Sequence, residues 1–471
     1  MLVSNRESEF SKVLNTGDVL VVAFGAMIGW GWVVSSGQWI TSGGVLGTVL
    51  GFIIGGIMIY FVGLCYAELT TAMPKCGGEH VFSYKAFGSI GAYICTWSII
   101  LSYIGVVCYE AVSFPTILQY VFPKIARGYL YSVGGFDIYF TWLLIAIGMA
   151  LLILFLNIIG MKKAARFQKI LTCVIAAVGI ALVAGAAYSG NVNNLQNQLL
   201  VGDTNGEIIQ NIAKVAIMTP FFLFGFDVIP QAAEEINVPL KKLGKMMILS
   251  IIMAVSFYVL AVGYVMDAGQ IKTSMSSATG LVTADAMGVA FNNANMAKVL
   301  IIGGLCGIVT SWNSFLIGGS RALYSMSVSY MLPRKFAVLH KKYNTPVNSL
   351  LLIGALSVIS PFFGRSMLVW IVDAGNFACC FAYCIVSLSF IVLRRKEADM
   401  RRPYKVKHYK FVGIVAVIMS GTMSAMYIIP ETNCTLVWQE WVIVGGWILL
   451  GIIMAYISKK KYGDKFANLI E

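Results

Sequence analysis

Glycines stand at positions 25, 29, 31 and 37 of the apolar run Phe24–Gly44, FGAMIGWGWVVSSGQWITSGG. Each interior glycine weakens a helix by roughly 1 kcal/mol relative to alanine. A run apolar enough to cross a membrane therefore interrupts its own middle. A second run, TPFFLFGFDVIPQAAEE, carries Pro220, Gly225 and Pro230, and proline removes a helix hydrogen bond. In a bilayer the freed backbone groups must be satisfied inside the protein or at a water-filled cavity. N–H groups freed around Ile28, Gly29, Trp30 and Gly31 suit a carboxylate. Carbonyls freed around Phe221, Phe222 and Phe224 suit an ammonium group. An amino acid zwitterion needs both.

Ionisable residues inside apolar spans are functional candidates by default. Glu110, in VVCYEAVSFP, reads either as an ammonium partner or protonatable coupling group, or as a neutral acid bonded to backbone freed near Pro115. Asp227 follows the second interruption and reads as a gate that holds it open or as a direct substrate contact. Asp373 lies deep or near an outer end. Glu234 and Glu235 suit pairing with Lys241 or Lys242, and Glu68 reads as structural. Phe222 and Phe226 flank the interruption as candidate lids, within reach of cation–π contact or as plain core.

Other chemistries lack their residues. No nucleophile–His–acid set, metal-ligand spacing or phosphate-cradling loop is present, so neither an enzyme nor a cofactor or metal is expected. His80, His340 and His408 all read as loop residues, and most of the 10 cysteines read as small buried hydrophobes.

The elements that must position these groups are membrane spans. The chain has 471 residues, 58% hydrophobic and 12% charged, against about 25% charged in soluble domains. About twelve apolar spans are expected: 17–41, 45–69, 90–121, 139–160, 167–189, 210–234, 246–267, 297–326, 348–364, 367–393, 410–429 and 438–458. The polar stretch 268–296 is expected outside, with a short helix on the surface. With the N-terminus inside, all but six of the 34 Lys and Arg fall on the cytoplasmic side, in runs such as KKAARFQK and RRKEADMRRPYKVKHYK. That is the positive-inside pattern rather than a nucleic-acid surface. It predicts a multi-pass protein of the cell membrane with both termini cytoplasmic. Interruptions in spans 1 and 6 imply two halves of five spans, and such matched breaks point to a transporter's binding site. Glycines serving only close helix packing are the alternative.

GAMIGWGW, YAELTTAMPKCGGEHVFSY (66–84), FFLFGFD with AAEEINVPLKKL, the segment 313–349 and RRPYKV (401–406) occur in order. Together they resemble the amino acid–polyamine–organocation superfamily of secondary transporters. The resemblance implies an all-α polytopic fold, a five-plus-five inverted repeat (17–189 and 210–393) with helices 1 and 6 broken. A cytoplasmic N-terminus (1–16), a basic loop (394–409), two added helices (410–458) and a tail (459–471) complete it. It implies alternating access around a mid-membrane site, with Trp312 and Asn313 at pocket height, where Asn313 reads as a polar contact or as a helix–helix hydrogen bond.

Two departures stand out. Trp30 replaces the family's usual small residue, where its indole either shrinks the pocket or turns toward a neighbouring helix, and the helix 5 position that carries a coupling lysine in many bacterial members is Ile175. The leading reading is a permease or exchanger of amino acids. An organic amine carrier (ethanolamine or polyamine) and a non-transporting sensor are the alternatives. Co-transported H+ or Na+, membrane lipid and a homodimer are left open as partners.

Overall fold

The computed structural model describes residues 10–189, 199–263, 281–430 and 435–467. Residues 268–280 of the polar stretch lie outside them. The fold is mostly helical. Asn15 starts the first helix, α1 (Thr16–Met27), by accepting from Gly17 N (2.9 Å) and Asp18 N (3.1 Å), while Asp18 Oδ2 accepts from Asn15 N. This reciprocal cap satisfies N–H groups that a helix start leaves bare. Then follow α2 (Gly31–Val34), α3 (Ser36–Ala72), α4 (Glu79–Val121), α5 (Phe140–Ile158), α6 (Met161–Ser189), α7 (Asn205–Leu223) and α8 (Val228–Gln231). The second half has α9 (Leu240–Gly263), α10 (Val282–Ala290), α11 (Ala294–Val328), α12 (Val347–Ile359), α13 (Gly364–Lys396), α14 (Tyr409–Met426) and α15 (Trp438–Tyr462).

Among the described residues, ten helical segments are long and apolar enough to cross a membrane. The expected spans 17–41 and 348–364 are not among them. They coincide with shorter apolar helices, Thr16–Met27 and Val347–Phe363. Span 1 and span 2 meet inside α3 at Gly44, whose φ of 77° bends the helix.

Three expectations need correction. The chain is not wholly helical: β1 (Tyr129–Val133) and β2 (Phe136–Tyr139) form an antiparallel hairpin. Gly134 and Gly135 turn it, both at positive φ, as a tight two-residue hairpin turn requires. His80 is not a loop residue. It lies in α4, fully buried, with Nδ1 3.1 Å from Thr96 Oγ1 and Nε2 2.8 Å from Ser329 Oγ. The short helix of the polar stretch, α10, is not a surface element. Thr283 donates to the Trp32 carbonyl (3.1 Å) and bonds Ser36, and Val282 packs on Gly37.

The core runs along α11, which packs on α4 and α6, while α4 also carries α13. α15 is the most exposed span and is tied to α4 by a reciprocal indole pair. Trp97 Nε1 donates to the Trp447 carbonyl and Trp447 Nε1 to the Trp97 carbonyl, each at 2.9 Å, with the rings stacked at 4.3 Å. Both described chain ends reach one end of the bundle. Val13 N and Leu14 N donate to the Glu235 carbonyl, and Ala467 N to that of Ser329.

Candidate functional site

α1 stops at Met27 and helix resumes at Gly31. α7 runs past residue 220 to Leu223, and α8 begins at Val228. The two gaps touch. Gly225, at φ +127°, lies against Ala26: an added Cβ would sit 2.7 Å from Ala26 Cβ and 2.8 Å from its carbonyl carbon. Backbone approaches this close need glycine. Gly307 of α11 closes the first gap from the other side, where a Cβ would lie 2.8 Å from the Gly29 carbonyl oxygen and 3.1 Å from that of Ile28. Tyr258 of α9 donates to the Met27 carbonyl at 3.2 Å.

Glu110 joins this gap. It is buried, and its Oε1 lies 3.5 Å from where a Gly29 Cβ would be, with Ser311 beside it. Its Oε2 has no hydrogen-bond partner. One wall of the gap thus gathers oxygens: the Ile28 and Gly29 carbonyls, the Glu110 carboxyl and the Ser311 hydroxyl. Across the gap, Phe222 packs against Gly31 and meets Phe221 (4.8 Å between centroids) and Trp39 (4.7 Å).

Trp30 turns away from the gap. Its six-membered ring fills the notch at Gly304 of α11, and its Nε1 is buried without a partner. Asn313 is also drawn elsewhere. Its Nδ2 donates to Gln168 Oε1 (2.5 Å) and its Oδ1 accepts from Asn157 Nδ2 (2.7 Å). Gln168 Nε2 donates on to Ser314 Oγ (2.6 Å) and to the Val22 carbonyl (3.3 Å). This network joins α1, α5, α6 and α11. Ile175 is fully buried in α6.

Asp227 holds the second gap. Its Oδ1 accepts from Gly225 N and from Tyr383 Oη, both at 2.9 Å, and its Oδ2 from Tyr103 Oη at 2.6 Å. Three donors on a fully buried carboxylate make the strong kind of hydrogen bond and fix the backbone where the helix is open. Phe226 is fully buried, its ring 5.3 Å from Tyr66 and 5.5 Å from Tyr383, and Phe224 also packs on Tyr383 (5.3 Å). Phe226 thus packs between Tyr66 and Tyr383, while Phe222 lies at the first gap.

At the end shared by both chain ends, Glu235 pairs with Arg321 rather than with Lys241 or Lys242. Arg321 Nε lies 2.8 Å from Glu235 Oε1 and Nη2 3.3 Å from Oε2, both side chains being buried. An arginine inside an apolar span was a legible signal for this partner. Glu68 is structural: it holds Arg394 (2.6 Å), Arg402 (3.1 Å) and Val406 N (2.7 Å), anchoring the basic loop. No group of His, Cys, Asp and Glu among the described residues could hold a metal ion.

Residues 14–454 match the family model for amino acid permeases. The chain is 24% identical to a methylthioribose transporter of Bacillus subtilis (strain 168), over 97% of this chain and 95% of that protein. It is 25% identical to the branched-chain amino acid permease BcaP of the same organism, over 97% and 95%. It is 23% identical to the histidine permease HisP of Lactococcus lactis subsp. cremoris (strain MG1363), over 99% and 98%.

Proposed function

Because the chain belongs to the amino acid permease family of the amino acid–polyamine–organocation superfamily, we propose that it carries an amino acid by alternating access around the paired gaps. It is a membrane transporter and not an enzyme. The observation that carries the mechanism is the contact of the two interrupted helices at Ala26 and Gly225. Gaps that meet bring free N–H groups and free carbonyls to one place, as a zwitterion requires, and let two half-helices move as hinges.

In this reading the substrate carboxylate takes the N–H groups at Gly29, Trp30 and Gly31. Its ammonium group faces the carbonyls at Phe221–Phe224, with Phe222 as the lid. Asp227, with Tyr103 and Tyr383, gates the second gap. The end holding both chain ends faces the cytoplasm, in keeping with the basic loops there. The two halves, residues 17–189 and 210–393, each opening on an interrupted helix, form the inverted repeat. Uptake of labelled amino acids into proteoliposomes loaded with unlabelled amino acid tests the reading. Folded protein that exchanges none of the standard amino acids overturns it.

Glu110 favours a second reading within the same site. A carboxyl oxygen without a partner, set among the Ile28 and Gly29 carbonyls, suits a substrate carrying an amine with no carboxylate. Competition by ethanolamine and diamines against amino acid uptake separates the two.

A further inference from the structure

Glu79 and Gln231 meet across a seam between two elements. Glu79 opens α4 just after the Gly77–Gly78 turn, and Gln231 closes α8. Both are fully buried. Gln231 Nε2 donates to Glu79 Oε2. The remaining oxygens, Glu79 Oε1 and Gln231 Oε1, are buried without a partner, as is Tyr66 Oη. An orphaned buried acceptor is costly. A single proton on Glu79 Oε1 removes two orphans together. The carboxylic O–H then donates to Gln231 Oε1 while Gln231 Nε2–H donates to Glu79 Oε2, a two-bond acid–amide pair.

Charge balance requires the same proton. Asp227 is fully buried and faces Glu79, as do Tyr66 from α3 and Cys95 and Tyr103 from α4. Among the described residues no basic side chain pairs with either acid. Arg321 is taken by Glu235, Arg394 and Arg402 by Glu68, and His80 by Thr96 and Ser329. Two ionised carboxylates without a cation do not share a dry site. Asp227 accepts from Gly225 N, Tyr103 and Tyr383, whereas Glu79 accepts from Gln231 Nε2 with the Tyr66 hydroxyl beside it, and the acid–amide geometry with Gln231 assigns the proton to Glu79.

We propose that Glu79 is a proton-binding site whose proton latches the Gly77–Glu79 turn onto α8. The turn fits that helix closely: Gly77 N donates to the Gln231 carbonyl at 3.2 Å, and a Cβ on Gly78 would lie 2.6 Å from Pro230 Cβ. α8 leads into Glu235, whose pair with Arg321 closes the same end. When the proton leaves to water at that end, Glu79 Oε1 faces Gln231 Oε1 with no hydrogen between them and only the Nε2–H bond to Oε2 remains. The halved pair, with the Asp227 carboxylate nearby, then loosens the turn from α8. The latch's part in opening rests on the alternating-access reading; the proton itself does not.

Infrared spectroscopy with hydrogen–deuterium exchange tests the proton on the full chain. The wild-type minus Glu79→Gln difference is expected to show a deuterium-sensitive carboxylic acid C=O band, which Asp227→Asn retains. No such band overturns the proposal, whether or not the protein transports. If Glu79→Gln does not fold, Gln231→Leu leaves the acid without its amide, and the band is expected to move to higher frequency; an unmoved band overturns the pairing. For the latch, wild-type exchange in proteoliposomes is expected to slow as pH falls on the side of the chain ends. Glu79→Gln, whose amide mimics the acid, is expected to lose that dependence. A pH profile equal to that of the wild type overturns the latch.

Discussion

Gly225 lies against Ala26 so closely that a methyl group on the glycine would stand 2.7 Å from Ala26 Cβ and 2.8 Å from its carbonyl carbon. Its φ of +127° is also one that side chains rarely adopt. Gly225→Ala is expected to cost about 2–5 kcal/mol, from backbone strain together with overpacking, and to abolish most transport. Thermal unfolding in detergent and proteoliposome uptake measure the two. Wild-type values in both would mean that this contact does not hold the gaps together.

Tyr103 and Tyr383 share the Asp227 carboxylate. Each Tyr→Phe change is expected to cost about 1.5–3 kcal/mol, the range for a hydrogen bond to a charged group. Because both bonds end on one acceptor, the double change should be non-additive by more than about 0.5 kcal/mol. A double-mutant cycle on detergent unfolding reads this. Strict additivity would separate the two hydroxyls energetically.

Arg321 and Glu235 are both buried and bonded at two points. Arg321→Ala strands a carboxylate and is expected to cost about 3–5 kcal/mol. Arg321→Lys keeps the charge but loses the planar fork and should fall between. Urea unfolding monitored by tryptophan fluorescence ranks the three proteins; equal stability of alanine and wild type would contradict the pairing.

Gly304 is the notch that receives the Trp30 ring. Gly304→Ala is expected to push the indole toward the gap and raise the KM for the transported amino acid about tenfold, near 1.4 kcal/mol. Adding Trp30→Phe should recover part of the loss, since the smaller ring tolerates the methyl. No recovery would show that the alanine acts through the helix rather than through the indole.

Glu110→Gln removes the ionisable group but keeps the shape of the gap wall. Inhibition of uptake by diamines is expected to weaken about tenfold, roughly 1.4 kcal/mol, with inhibition by neutral amino acids little changed. Equal loss for both classes would assign Glu110 to holding the gap rather than to reading charge.

The helix ends near GAMIGWGW and LFGFD were legible because glycine acts on its own backbone, whereas positions 220 and 230, both proline, lie inside helical segments and do not mark the gap. Their partners were not legible, because partnership is set across helices far apart in sequence. Trp30 could either crowd the site or turn toward a neighbouring helix, and only the structure identifies Gly304 as the notch that receives it. Asn313 read as a pocket contact or as a helix–helix hydrogen bond, and its amide is bonded to Asn157 and Gln168, partners the sequence did not name. Tyr103 and Tyr383 carry no local mark that separates them from other membrane tyrosines. Arg321 did carry one, a lone cation in an apolar span, and so its acidic partner had to be nearby. His80 was misread because the loop before α4 is shorter than its glycines suggest, and the helix begins one residue ahead of the imidazole.

The indoles of Trp97 and Trp447 exchange N–H groups with each other's carbonyls across a separation of 350 residues. During synthesis, Trp97 must enter the bilayer long before its counterpart has been made. Until α15 arrives, that N–H has only lipid, headgroup water or a chaperone to satisfy it. The pair therefore ties an early helix to a late one, and its two hydrogen bonds can form only after residue 447 has been made.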